Sequence, residues 1–204
     1  YHLVLLQLDH DASFREHGSF ASTPDFIEAC LAGFAAGADP AHHLVFKAHP
    51  LDDGRVSLRR EIARRAAAHG IADRVHFLRG GKLAPVLGRA ESAVTVNSTA
   101  GQQVLWRGLP LLALGRAVYS KPQLVADMPI SRFFANPAQP DAEAYCTFRR
   151  YLMATSQLAG GFYSSPSRRK FLPLATARRL APDDPDLARS RRNAASKHQL
   201  CPQT

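Results

Sequence analysis

His2-Leu3-Val4-Leu5-Leu6-Gln7-Leu8-Asp9-His10-Asp11 is the stretch that decides the fold, an almost unbroken apolar run that ends abruptly in polar residues. A run this short without polar alternation reads as a strand buried on both faces, the kind that parallel sheets contain. The pattern recurs at residues 43–48, 74–78, 92–96 and 109–114, with helical stretches between. Strands alternating with helices are the signature of repeated βαβ units, which predicts a Rossmann-like α/β domain with a parallel sheet of about five strands.

The intervening segments carry helix signals of their own. Between the first two strands a helix is predicted over residues 24–36, with Thr23 as N-cap, Pro24 at its first position and Asp25 in its first turn. Phe26, Ile27, Cys30, Leu31 and Phe34 form its apolar stripe, and Gly37 is expected to end it. Further helices are expected over residues 57–68 and 82–89, from Thr99 or Ala100 to Gly108, and over 142–157.

Composition narrows the classes. The chain has 204 residues, 46% of them hydrophobic and 21% charged, which fits one globular domain or one lobe of a larger protein and excludes a wholly disordered or collagen-like chain. Apolar runs such as residues 3–6 and 109–114 fall far short of the ~18 residues that would span a bilayer. The chain opens at Tyr1 inside a predicted strand, as a fragment of a longer protein would. Three cysteines without a C-x-x-C pair suggest neither a disulfide framework nor a zinc site. The formal charge of +9 is concentrated in residues 165–204, which hold nine Lys or Arg against three Asp and five prolines. Residues 1–164 therefore read as the folded lobe, and 165–204 as a basic, largely irregular tail, either a contact for anionic surfaces or a solvated segment with no specific partner.

Ligands of open parallel sheets lie beyond the carboxyl ends of the strands. At the first such end stand Gln7, Asp9, His10, Asp11 and Ser13, with His17 close behind; Asp11 reads either as a functional carboxylate or as a loop cap. At the second stand Lys47, His49 and Pro50. The proline keeps His49 out of helical backbone, so its ring can face the crevice and donate to a phosphate or protonate a leaving group. At the fourth, Asn97, Ser98, Thr99, Gly101 and Gln102 open a helix with small hydroxyl residues, either an anion cradle or an ordinary cap. Tyr119 follows the Gly115 turn, as a crevice contact or as core. No Walker loop, G-x-G-x-x-G fingerprint, H-E-x-x-H or G-x-S-x-G elbow is present. Aromatic residues do not interleave with basic ones as in single-strand nucleic-acid binders, so no nucleic-acid partner is expected.

Taken in order, Gln7-Leu8-Asp9-His10-Asp11-Ala12-Ser13, His17-x-x-Phe20, Phe46 to Asp52, Val96 to Gly101, Gly108-Leu109-Pro110, Leu114 to Tyr119 and Gly160-Gly161-Phe162-Tyr163 resemble the bacterial capsule polysaccharide biosynthesis and export family, and within it the KpsS-like Kdo transferases. The resemblance spans residues 1–164. It implies the C-terminal, nucleotide-binding lobe of a GT-B-type glycosyltransferase that moves β-linked Kdo from CMP-Kdo to a phosphatidylglycerol-type lipid. On that carry-over Asp11 matches the essential acid, His49 the His-Pro contact to the CMP phosphate, and Ser98 and Thr99 the hydroxyl pair at the phosphate end. The expected partners are the CMP-sugar, a lipid acceptor, the anionic inner-membrane surface seen from the cytoplasm, and other capsule assembly proteins. No metal and no other cofactor is expected. Another nucleotide-sugar transferase or epimerase of the same architecture, or a non-catalytic scaffold subunit, stays open as an alternative.

Overall fold

Three strands lie side by side with every residue buried: β1 (His2–Leu5), β2 (Leu44–Lys47) and β4 (Ser92–Thr95). The computed structural model in which they are seen describes residues 1–52, 54, 57–158, 160, 161 and 164–180. With β3 (Val75–Leu78) and β5 (Leu111–Ala113) at the edges they make a five-stranded sheet in the order β3-β2-β1-β4-β5. Every pairing is parallel. The burial follows the apolar content: continuous runs sit in the middle, while β3 alternates half-buried and exposed residues as an edge strand does.

The strands stop earlier than their apolar runs because polar side chains intervene. After Leu5 the backbone N–H of Leu6 still donates to the Lys47 carbonyl at 3.0 Å, but Gln7 leaves the ladder to bond with Asn97. For the same reason β4 ends at Thr95 rather than at residue 96.

Helices cover the sheet: α1 (Ala12–His17), α2 (Thr23–Gly37), α3 (Leu58–Ala68), α4 (Leu83–Leu87), α5 (Gly101–Trp106) and α6 (Ile130–Ala135). Neither α1 nor α6 was expected. In α2 the expected stripe of Phe26, Ile27, Cys30, Leu31 and Phe34 is fully or almost fully buried, among Val4, Phe46, Val94, Phe133 and Phe134. The cap differs from expectation. Ser22 is the N-cap, its hydroxyl accepting the Asp25 N–H at 3.3 Å and donating to the Asp25 carboxylate at 2.7 Å. Thr23 is instead the first helical residue, because the Asp9 carboxylate takes its N–H at 3.0 Å and its hydroxyl as well.

Gly37 also has a different task. It is the last helical residue, with Ala38 as the C-cap. A methyl group on Gly37 would overlap the backbone of Ser131, and one on Gly33 would come within 2.5 Å of Ile130. The two glycines, one turn apart, therefore form the flat face on which α6 lies. Close backbone approach is what glycine supplies here, not a turn.

The chain divides into two compact units, Tyr1–Ala142 and Glu143–Thr204. This division precedes the boundary at residue 164 expected from composition. In the second unit, α7 (Ala142–Thr155) matches the predicted amphipathic helix, and α8 (Ser165–Leu180) is a basic helix where irregular chain was expected. The Arg178 guanidinium donates to the Thr155 carbonyl, which links the two helices. Gly160 between them has φ of +118° and packs so closely on Ser167 and Phe171 that a side chain would collide. The rest of the expected tail, residues 181–204, lies outside the described residues, as do Phe162 and Tyr163.

The glycine face makes a stability prediction. Gly37→Ala should lower the unfolding free energy by about 1–3 kcal/mol despite alanine's better helix propensity, since backbone of α6 must move. Gly88→Ala, whose new methyl would meet nothing closer than 3.6 Å, should change it by less than about 0.5 kcal/mol. Urea denaturation of both variants measures the difference, and equal effects would show that α6 adapts freely.

Candidate functional site

Strand register brings the candidate residues together. Leu5 pairs with Lys47 on one side and with Thr95 on the other, so the three neighbouring strands end level. Two residues farther on stand Gln7, His49 and Asn97, at the edge where ligands of parallel sheets bind.

Gln7 and Asn97 face each other and are buried. The Gln7 amide donates to the Asn97 side-chain carbonyl at 2.8 Å, while the Asn97 backbone N–H donates to the Gln7 carbonyl oxygen at 2.9 Å. The Asn97 amide then donates to the Ser13 carbonyl at 2.6 Å, which fixes α1 beside the strand ends. Thr95 adds its hydroxyl, donating toward Leu5 and Gln7 and accepting from the Ser98 N–H. These amides are engaged with one another, so they shape the crevice floor. Thr95 was not singled out in the sequence because an inward hydroxyl in an apolar strand looks like any β-branched residue.

Asp11 caps α1: its carboxylate accepts the Ser13 N–H at 3.0 Å, and its side chain is exposed. Both readings of Asp11 thus remain compatible, since one carboxylate oxygen suffices for the cap. His17 closes the same helix, exposed, with its carbonyl accepting from the Arg116 N–H at 2.8 Å. Asp9, noted in the sequence only as part of the cluster, joins this loop to α2 through Thr23.

Lys47 ends β2 and is only 5% exposed. Its ammonium donates to the Ala48 carbonyl at 3.0 Å, and among the described residues no carboxylate lies within ion-pairing distance. Burial pushes its pKa below the usual lysine value. A buried cation without a counter-charge is costly unless an anion arrives, so this position favours anionic ligands.

His49 is half-buried and Pro50 exposed. The His49 Nδ1 accepts the Leu51 backbone N–H at 3.2 Å. An accepting Nδ1 places the proton of the neutral ring on Nε2, which is thereby a donor.

After β4 the hydroxyl residues do not act as a helix cap. Ser98 accepts the Ala100 N–H at 3.2 Å, and α5 begins only at Gly101, behind an Ala100 cap that offers no side chain. Thr99 is exposed and Ser98 half-buried, both on the loop between strand and helix. Tyr119 is only 1% exposed; its hydroxyl donates to the Ser98 carbonyl, and burial pushes its pKa up. It holds this loop from beneath. Gly101 makes room for it, since a side chain there would collide with the tyrosine ring and hydroxyl. Gln102 is half-buried in the first turn of α5.

The structure thus assembles Gln7, Ser13, Asn97, Ser98 and Tyr119 into one hydrogen-bonded frame. It sets Lys47 at the end of the neighbouring strand and His49 just beyond it, with Asp11, His17 and Thr99 exposed at the rim. Residues 1–163 match the family described as Capsule polysaccharide biosynthesis protein. The chain is 30% identical over 163 residues to the capsule polysaccharide export protein KpsS of Escherichia coli, covering 80% of this chain and 42% of that protein. It is 32% identical over 165 residues to the capsule polysaccharide modification protein LipB of Neisseria meningitidis serogroup A, covering 80% of this chain and 39% of LipB. The chain thus spans about two fifths of the length of these curated relatives. A solved structure of Thermosulfurimonas dismutans KpsC, a beta Kdo 2,7 transferase, aligns with a TM-score of 0.47 at 16% identity, over 74% of this chain and 54% of that one. With a match that runs through every strand of the sheet, the chain belongs to the capsule polysaccharide biosynthesis protein family.

Proposed function

We propose that the chain is the donor-binding lobe of a two-lobed glycosyltransferase of the GT-B type, which moves β-linked Kdo from CMP-Kdo to a phosphatidylglycerol-type lipid or to the linker growing on it. The observation that carries this reading is Lys47, a buried ammonium with no carboxylate partner among the described residues, beside a histidine whose Nε2 is a donor. Together they offer positive charge and a proton at the strand ends, where the phosphate of a nucleotide sugar would lie.

The geometry supports the following division of labour. Lys47 neutralises charge on the phosphate. His49 donates from Nε2 to a phosphate oxygen and stabilises CMP as the bond to the sugar's anomeric carbon breaks. Asp11, exposed at the rim, acts on that carbon as nucleophile or as base toward the acceptor. Gln7, Asn97 and Tyr119 hold the loops in place. This route needs no metal at the crevice. The acceptor side belongs to the part of the protein beyond this lobe.

The lipid acceptor suits α8, which carries Arg168, Arg169, Lys170, Arg178 and Arg179, no acidic residue, and the exposed Leu172, Leu174 and Leu180. Such a helix binds anionic surfaces by charge and by shallow insertion, each Lys or Arg contributing about 1 kcal/mol. No helix among the described residues is long and apolar enough to cross a membrane. The reading therefore has the protein at the cytoplasmic face of the inner membrane, alongside other capsule assembly proteins.

Calorimetric titration with CMP, UMP and AMP tests the donor. CMP should bind preferentially, and His49→Ala or Lys47→Met should weaken it about 10- to 100-fold, the worth of one hydrogen bond to a charged group. A preference for UMP would favour another nucleotide-sugar transferase or epimerase instead. Asp11→Ala should leave CMP affinity nearly unchanged and abolish Kdo transfer by the full-length protein; retained transfer would remove Asp11 from the chemistry. Deleting residues 165–204 should reduce co-sedimentation with vesicles rich in phosphatidylglycerol, and unchanged sedimentation would remove the membrane role of this region.

A further inference from the structure

The opposite end of the sheet holds a second polar cluster that the transfer chemistry does not use. His2 begins β1, His42 stands just before β2 and Glu91 just before β4, so three adjacent strands each bring one side chain to their entry edge. One ligand atom of each lies within 4.8 Å of the other two, and among the described residues no other set of three His, Cys, Asp or Glu converges in this way. We infer that His2, His42 and Glu91 form a binding site for a first-row transition metal ion, Zn2+ being the best match to two imidazoles and one carboxylate.

The side chains are arranged for coordination. His2 is fully buried, and its ring is fixed edge-on against Phe34 and Phe134, at centroid distances of 6.0 and 5.1 Å. Its Nδ1 lies 2.8 Å from the Ser92 hydroxyl, a partner that orients the ring and leaves Nε2 facing the Nδ1 of His42, 3.1 Å away. Glu91 approaches the other ring nitrogen of His42, its carboxylate lying 3.2 Å from Nε2, and one ligand atom of each of the three residues falls within 4.8 Å of the other two. Two zinc-bound nitrogens at ~2.0–2.1 Å from the metal stand little more than 3 Å apart, close to what is already present. The turn that carries His42 is held by the Arg74 guanidinium, which donates to the Asp39 carbonyl at 3.1 Å.

The side chains of His42 and Glu91 are 31% and 44% exposed, which gives the ion a route in and leaves a coordination position for water. The site would tie the entry ends of β1, β2 and β4 together. It stands independently of the donor reading.

Calorimetric titration of the tag-free protein with Zn2+, and with Mg2+ in parallel, tests the inference. One Zn2+ should bind per chain, with a rise in melting temperature, whereas Mg2+, which demands oxygen ligands, should not bind. His42→Ala and Glu91→Ala should each abolish stoichiometric binding with circular dichroism retained, and Ser92→Ala should weaken it about 10- to 100-fold. His43→Ala should have no effect; it disrupts the exposed pair formed by His43 and His76, 3.0 Å apart. Because Glu91 is exposed, its variant reads the site even where His42→Ala perturbs folding. Absence of stoichiometric Zn2+ binding, its survival in Glu91→Ala, or its loss only in His43→Ala overturns the assignment.

Discussion

The reciprocal pair between Gln7 and Asn97 is the contact on which the carboxyl edge of the sheet depends. Each of its hydrogen bonds contributes only about 1 kcal/mol net, but both side chains are buried, and leaving either amide unpaired would cost about 1–3 kcal/mol per orphaned group. The pair therefore does more than add stability. It ends β1 and β4 at the same level, takes the Ser13 carbonyl as a third partner, and so sets where α1 begins. Asp11 at the start of α1 and Ser98 just after β4 inherit their positions from it. Tyr119 completes the frame from below through the Ser98 carbonyl.

Beside this satisfied frame, Lys47 stands out as an ammonium whose burial no carboxylate offsets among the described residues. The contrast locates function within one row of polar residues. Groups that bond to one another hold shape, and groups left with charge or a free proton are available to a ligand. The helix cradle expected after β4 takes a different form, because Ser98 spends its hydroxyl on a local turn and α5 starts behind Ala100. Charge at this edge comes from β2 more than from a helix end.

The two edges of the sheet are polar for different reasons. At the carboxyl edge, backbone turns need amide partners and an anion needs cations. At the entry edge, three side chains 40 and 49 residues apart in sequence bring their ligand atoms within 4.8 Å of one another. Between these edges lies an apolar interior of Val4, Phe26, Phe34, Phe46, Val94 and Phe134, which α6 completes by lying on Gly33 and Gly37.

The sequence by itself determined the sheet, its five strands and the stripe of α2, because those depend on local apolar content and period, which neighbouring residues carry. It also determined which loops hold the candidate residues, since parallel strands with helical crossovers send their carboxyl ends to one edge. Only the tertiary structure decided how those residues divide their work. Nothing local in Gln7 or Asn97 distinguishes a ligand contact from a clamp, because the partner lies 90 residues away. Gly37 reads as a helix terminator until α6 is seen against it, and Thr23 reads as a cap until Asp9 arrives across the loop. The convergence of His2, His42 and Glu91 was invisible for the same physical reason: strand order, β2 and β4 on either side of β1, is set by packing of the whole chain and not by any one of its segments.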